Sequence, residues 1–381
     1  MAVKILVPLV AVIVYFVFRP RLQFGDQKMT VYNHVPGACH AVEGVVHGSE
    51  DIVRTRDGLA FISTGVRPAP VITPDPWFLQ GVGKILLFDF MNPGDGVREV
   101  RIEPEEKSEG LEPHGLSLYE NQESGEIRLF VVNHHKDGDR IEIFRYSKSS
   151  ATLRLVKSVQ HPLLYNVNDV VAMGTDSFYA TNDMYSVMPW AKRLERFLSP
   201  SWSNVVYFNG SDAFVAAEGF SLANGINAPS SGNPMYVCDT GRQAVQVYRR
   251  RDDDSLQLER EIHLATVVDN VDVCPDTGDL WVGAHEGFAR HMEDRRNPSS
   301  SQVGDVGRKE IRKSEEGGWG RWRKLVLRIR LPAGASPEVT SLYANDGRQL
   351  NGSSVAVVYN RRMLIGTVHD TLLYCDVTVP L

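Results

Sequence analysis

Three pairs of adjacent oxygen-bearing side chains stand out: Glu50 with Asp51, Asn168 with Asp169, and Asp269 with Asn270. His114, Asn224 and Asn351 open three further segments of the same plan. In each, a polar residue is followed by a short strand, a turn rich in Asp, Gly, Asn or Arg, and a strongly apolar strand. Carboxylate and amide oxygens without thiolates suit a hard cation, and Ca2+ takes roughly six to eight such ligands from a flexible cage. Any single pair could equally be a turn or strand cap, because Asn and Asp bond to nearby backbone at strand ends. Recurrence at equivalent places along the chain favours one shared site over unrelated caps.

Two histidines add acid-base chemistry to this oxygen cluster. His114 opens the second unit and His134 ends that unit's apolar strand in "LFVVNHH". Either alone reads as a structural histidine; together, beside a cation, they could serve as general base and proton shuttle near neutral pH. His285 in "GAHEG" and Asp183 in "TND" end the corresponding strands of other units and read as channel-wall residues joined by a hydrogen bond. The chain has no nucleophile elbow, phosphate-cradling glycine loop or metalloprotease helix motif, so hydrolysis by water is favoured over a covalent serine mechanism.

The elements that must position these residues follow from the repeats. Each apolar strand is followed by another: "KILLFDF", "IEIFRY", "SNVVYF", "AVQVYRR", "KLVLRIR" and "TLLYCDV". Six units of about four strands, with almost no helical periodicity between them, predict an all-β chain folded as a six-bladed β-propeller. If the strand entered from each polar pair is the innermost of its blade, the pairs converge on one mouth of the central channel.

The rest of the chain sets the context. At 381 residues and 43% hydrophobic content it can fill a sizeable core, and a net charge of -6 with interspersed signs excludes a nucleic-acid groove. Residues 1–24 carry Lys4, an apolar run from Ile5 to Phe18, then Arg19 and Arg21. The run is short for a span of about 20 residues, and no small-x-small cleavage pattern follows it. An uncleaved signal anchor is therefore favoured over a cleaved signal peptide. Residues 25–381 form the expected propeller domain. Within it, 67–81 is a Pro-rich loop and 290–323 a charged, Ser/Gly-rich surface insertion.

Of four cysteines, Cys238 and Cys274 sit in apolar runs and read as buried thiols, whereas Cys39 and Cys375 lie near the two ends. In a secretory compartment a bridge between them would tie the ends together and close the ring. Asn209 and Asn351 begin "NGS" sequons; the channel-mouth position expected for Asn351 makes it the poorer glycosylation site.

The ordered strings "GSED" (48–51), "PHGLS" (113–117), "VVNH" (131–134), "NVNDVVA" (166–172), "AEGFSLANGIN" (217–227), "VDNVDV" (268–273), "TGDLWVG" (277–283) and "LYC" (373–375) resemble the paraoxonase/arylesterase family. The resemblance runs from about Cys39 to Cys375. It implies a calcium-dependent lactonase and esterase with two calcium ions in the channel. The catalytic ion would be held by Glu50, Asn168, Asn224, Asp269 and Asn270. The structural ion would be held by Asp51, Asp169 and the backbone carbonyl of Leu116. His114 matches the water-activating histidine, His134 its partner, and Cys39 with Cys375 the family's bridge. Asn168 and Asp169, adjacent in an extended strand entry, would point to opposite sides and serve one ion each. Departures fall at the pocket rim: Ala284 and Met184 stand where a cysteine and a histidine are frequent, and "FISTGVRPAP" lacks the usual flap tyrosine.

The expected function is hydrolysis of lactones and of aryl and carboxylic esters, with calcium polarising the carbonyl and a histidine activating water. The competing reading is a non-catalytic, calcium-stabilised propeller that binds a ligand or protein. The expected partners are the small-molecule ester or lactone and a membrane contacted through the N-terminal segment, with no nucleic acid. The expected setting is the secretory pathway, as an anchored or secreted protein.

Overall fold

The computed structural model describes residues 32–46, 48–65, 83–107, 109–198, 200–285, 324–345, 349–350, 352–368 and 370–380. The expected N-terminal anchor at 1–24, the expected loop at 67–81, Asn351 and the expected insertion at 290–323 lie outside the described residues.

The strands form six separate sheets arranged as the blades of a propeller. The innermost strands are Ile52–Arg54, Pro113–Glu120, Val167–Ala172, Ala223–Asn227, Val267–Val273 and Ser353–Tyr359. Five blades are each one continuous stretch of chain, with every strand antiparallel to the next along the chain. The second blade gains a fifth strand, Arg101–Glu103, which runs parallel to its outer strand Thr152–Val159.

The sixth blade closes the ring. Its fourth strand is the N-terminal segment Cys39–Val42, paired in register with the C-terminal strand Leu372–Asp376. Cys39 lies opposite Cys375 in this ladder and is bonded to it, so the ends are joined covalently as well as by hydrogen bonds.

The strands are rich in Val, Ile, Leu, Phe and Tyr because both faces of each blade pack against a neighbour. Among the described residues the buried apolar side chains fall into six clusters, one at each interface between adjacent blades. Phe61 and Leu129 join the first and second blades, and Phe130 and Phe178 the second and third. Cys238 and Cys274 are both buried free thiols, as their sequence context suggested.

One element departs from the all-strand expectation. A ten-residue α-helix, Pro189–Leu198, links the second and third strands of the third blade. A proline pre-set for the first turn starts it. Glu195 turns inward and takes the backbone N–H groups of Tyr185 (2.7 Å) and Ser186 (2.8 Å). Among the described residues this is the one α-helix, too short in a chain of strands to register as a helical period.

Candidate active site at the channel mouth

Five innermost strands carry a bulge at the same level. Pairing slips between Pro113 and Leu116, Val167 and Val170, Ala223 and Ile226, Val268 and Val271, and Ser353 and Ala356. The residue pairs inside these slips are His114–Gly115, Asn168–Asp169, Asn224–Gly225, Asp269–Asn270 and Ser354–Val355. Glu50 and Asp51 hold the corresponding place in the first blade, where Glu50 N donates to Ser63 O and Ser63 N to Asp51 O.

A bulge sets two residues against one and re-aims side chains that strict alternation would send to opposite faces. In these five blades the residues therefore lie inside the strands and not ahead of them, whereas Glu50 and Asp51 directly precede Ile52–Arg54. In the sixth blade the equivalent residue is Ser354, where the sequence reading chose Asn351.

Two of these sites are near copies. Asp51 takes Ile52 N–H (2.8 Å) on one oxygen and Leu116 N–H from the second blade (2.6 Å) on the other. Asp169 takes Val170 N–H (2.7 Å) and Ile226 N–H from the fourth blade (2.7 Å) in the same way. Ser63 and Thr181 hydroxyls receive the backbone N–H groups of Asp51 and Asp169, each at 3.0 Å. Leu116 thus meets this site through its N–H, a group separate from the carbonyl that the resemblance assigns to the structural ion. Close approach demands glycine here: a Cβ on Gly115 would stand 2.3 Å from Asp169 Oδ1, and one on Gly225 2.5 Å from the Asn270 Cα.

Glu50 gathers the remaining blades. Asn270 Nδ2 donates to Glu50 Oε1 at 3.0 Å, Ser354 Oγ donates to the Glu50 carbonyl at 2.6 Å, and His114 Nε2 lies 3.4 Å from Glu50 Oε1. Among the described residues, four of the candidate ligand oxygens are buried without a hydrogen-bond partner: Glu50 Oε2, Asn168 Oδ1, Asn224 Oδ1 and Asn270 Oδ1. They come from the first, third, fourth and fifth blades. Such groups are costly unless something fills their coordination, and an amide- and carboxylate-oxygen set fits a hard divalent cation. Among the described residues no three His, Cys, Asp or Glu side chains converge on one point. The candidate set is amide-rich, which separates it from a zinc-type cluster.

Electrostatics point the same way. Burial, reinforced by the Glu50 charge, raises Asp51 to about 7 and pushes Asp269 well above the usual carboxylate range. Burial and the Asp51 charge do the same to Asp169. Burial alone would lower His114, but the carboxylates of Glu50, Asp183 and Asp269 outweigh it and raise the imidazole to about 9. A divalent cation among these groups would oppose all of these shifts by favouring ionised carboxylates and neutral imidazole.

The histidines form a relay. His114 Nδ1 lies 3.0 Å from His134 Nε2, and His134 Nδ1 lies 2.9 Å from Asp139 Oδ1. Sequence reasoning missed Asp139, since nothing in "HHKDGDR" distinguishes it from Asp137, which reaches the neighbouring His135 at 3.4 Å. Asp183 is partly buried and faces Arg196 and Lys192 as well as both histidines, while His285 turns its Nδ1 to the Ser353 carbonyl at 3.3 Å. Among the described residues these contacts stand where the sequence suggested a bond between His285 and Asp183. Asn209 is exposed in a turn, its Oδ1 taking Ser211 and Asp212 N–H groups at 2.9 Å.

A family model described as arylesterase matches residues 31–315 and 322–377. The chain belongs to the arylesterase family. Its relatives include human serum paraoxonase/arylesterase 2, 36% identical over 339 residues that cover 89% of this chain and 88% of that protein. Mouse serum paraoxonase/lactonase 3 is 35% identical over 344 residues, covering 90% and 89%. Among solved structures, a luciferin-regenerating enzyme shares the fold with a TM-score of 0.50 at 9% identity, covering 91% of this chain and all of that one (100%). In this arylesterase-family chain, bulges bring His114, Asn168, Asn224, Asp269 and Asn270 together with Glu50 at one end of the channel.

Proposed function

We propose that this chain is a calcium-dependent hydrolase of lactones and of aryl and other carboxylic esters, in which a histidine activates water. The observation that supports it best is the set of four partnerless buried oxygens, brought from four blades beside the His114–His134 pair. The names of its relatives, arylesterase and lactonase, fit the same substrate class.

In this reading two calcium ions bind. Glu50, Asn168, Asn224, Asp269 and Asn270 hold the catalytic one; Asp51, Asp169 and the Leu116 carbonyl hold the structural one. Bound calcium supplies an electrophile for the carbonyl oxygen and its developing negative charge. His114 accepts a proton from water as the water oxygen bonds to the acyl carbon. His134 shares the resulting positive charge, and the proton returns to the alkoxide as the acyl C–O bond breaks. Asn270 and Ser354 fix Glu50, so the donors are positioned before substrate arrives.

The Cys39–Cys375 bridge fits the secretory pathway. We further propose that residues 1–24 anchor the protein to a membrane, and that residues 25–381 form the single catalytic domain with 290–323 as a surface insertion.

The test is hydrolysis of an aromatic ester and an aliphatic lactone by the full chain, with calcium or with chelator. Turnover that requires calcium and falls about 100-fold or more in His114→Gln is expected. Turnover that survives complete calcium removal, or calcium-dependent melting with no turnover of any ester or lactone, would overturn the proposal.

A further inference from the structure

We infer that Asp139 is a positioning residue of the proton relay: it fixes the tautomers of both histidines, leaving His114 Nε2 as the bare, proton-accepting nitrogen. This rests on the hydrolytic function proposed above and adds a group that the sequence did not single out.

The argument is one of donors and acceptors. Asp139 Oδ1 faces His134 Nδ1 at 2.9 Å, and Asp139 Oδ2 takes the backbone N–H of Val167 at 2.8 Å. An ionised carboxylate only accepts, so His134 must carry its proton on Nδ1. Burial works against ionisation of Asp139, but the His134 charge and hydrogen bond outweigh it and hold the carboxyl below its usual range. With Nδ1 protonated, neutral His134 has a bare Nε2. At 3.0 Å from that nitrogen, His114 Nδ1 must be the donor. With His114 neutral, the state that a divalent cation held at Glu50 would favour, no proton stands on Nε2, which lies 3.4 Å from Glu50 Oε1.

Two hydrogen bonds thus transmit one orientation from Asp139 to the site. The groups facing the relay are Glu50, Asp183 and Asp269 around His114, and Lys192 beside Asp139. When water gives its proton to His114 Nε2, the Nδ1 proton can pass to His134 Nε2. The cation then rests on His134, against the Asp139 carboxylate, and the reverse transfers restore the proton to the leaving alkoxide. No proton is gained or lost over the cycle.

Val167 makes Asp139→Asn informative. Its N–H is backbone-fixed and adjoins the Asn168 bulge, so the amide oxygen of the new residue turns to it. The amide Nδ2 then faces His134 Nδ1 and can only donate. That reverses both tautomers and puts a proton on His114 Nε2.

The experiment uses the calcium-loaded full chain. In D139N, kcat for a lactone should fall about 100-fold or more, with KM changed by less than about twofold. The calcium-dependent rise in melting temperature should be unchanged. Nitrogen-15 NMR should show His114 Nε2 bare in the native protein and protonated in D139N. His134→Gln in the D139N background should add no further loss, since the residues act as a unit. A kcat within about threefold of native would overturn the inference, as would a His114 Nε2 already protonated in the native protein at neutral pH. The native-protein NMR measurement decides the matter even if D139N does not fold. If esters and lactones are not hydrolysed at all, the functional proposal fails while the tautomer measurement still judges the relay.

Discussion

Asn270 donates its side-chain amide to Glu50 Oε1 at 3.0 Å, and to the Glu50 carbonyl at 3.2 Å, across 220 residues of sequence. One side chain of the fifth blade thereby orients the first blade's carboxylate, while its own Oδ1 stays buried without a partner. The contact is both a brace for the ring and part of the candidate ligand set.

These two roles separate in a pair of variants. Asn270→Ala removes the donor and the oxygen, whereas Asn270→Asp keeps an oxygen and places a second carboxylate against Glu50. If the amide donor is what matters, both should lose stability by about 1–3 kcal/mol, the cost of leaving a buried acceptor short. Both should also shrink the calcium-dependent rise in melting temperature. An Asp variant that melts and binds calcium like the native protein would refute the bracing role.

The carboxylate shifts set a pH dependence for the calcium-free protein. Asp51 moves from 3.8 to about 7, and Asp169 and Asp269 move in the same direction. Between those values the folded state holds protons that the unfolded chain has released, so stability falls as pH rises. His114, raised from 6.5 to about 9, extends the decline: its contribution is complete below 6.5 and is lost as pH rises through about 9. Calcium favours the ionised carboxylates, so the gap between calcium and chelator melting curves should widen with pH. A gap of roughly 5 °C or more is expected near neutrality at saturating calcium. A gap that narrows from acid to neutral pH would contradict this.

The fold was legible because each blade repeats the same alternation of polar entry and apolar strand, and because Cys39 and Cys375 stand near the chain ends. The convergence of the candidate site was legible for the same reason: Glu50, His114, Asn168, Asn224 and Asp269 recur at equivalent positions. The bulge was not, since a one-residue slip has no composition of its own; only paired strands reveal that Asn168 and Asp169 both oppose Thr181. Asp139 stayed hidden because its role depends on a histidine and on the Val167 N–H from the next blade. Ser354 was passed over for Asn351, two polar residues close together with nothing in their types to fix the register.

Gly115 tests the spacing between the second and third blades. A methyl group there would meet Asp169 Oδ1 at 2.3 Å and the Asp169 Cα at 2.5 Å, both held in place by backbone bonds. Gly115→Ala should cost about 1–3 kcal/mol by overpacking and displace Asp169 from the Ile226 N–H. Weaker calcium protection against thermal melting should accompany it. Gly125→Ala, at an exposed glycine where nothing lies within 4 Å, serves as the comparison, though its φ of 69° adds a local backbone cost. Equal calcium protection in the two variants would show that the Gly115 approach does not govern the site.

The closing strand is held in two ways, and they can be separated. Cys39–Val42 pairs residue by residue with Leu372–Cys375, and the disulfide spans 336 residues of sequence. In Cys39→Ser the ladder remains but the unfolded chain regains the freedom that the cross-link removed. A loss of roughly 3–5 kcal/mol is expected from loop entropy, read as a lower urea midpoint. Because the strand completes the outer edge of the sixth blade, whose innermost strand carries Ser354, calcium should recover part of the lost midpoint by binding only the closed ring. Midpoints that coincide for the native and variant proteins, with and without reductant, would show that hydrogen bonding alone closes the propeller.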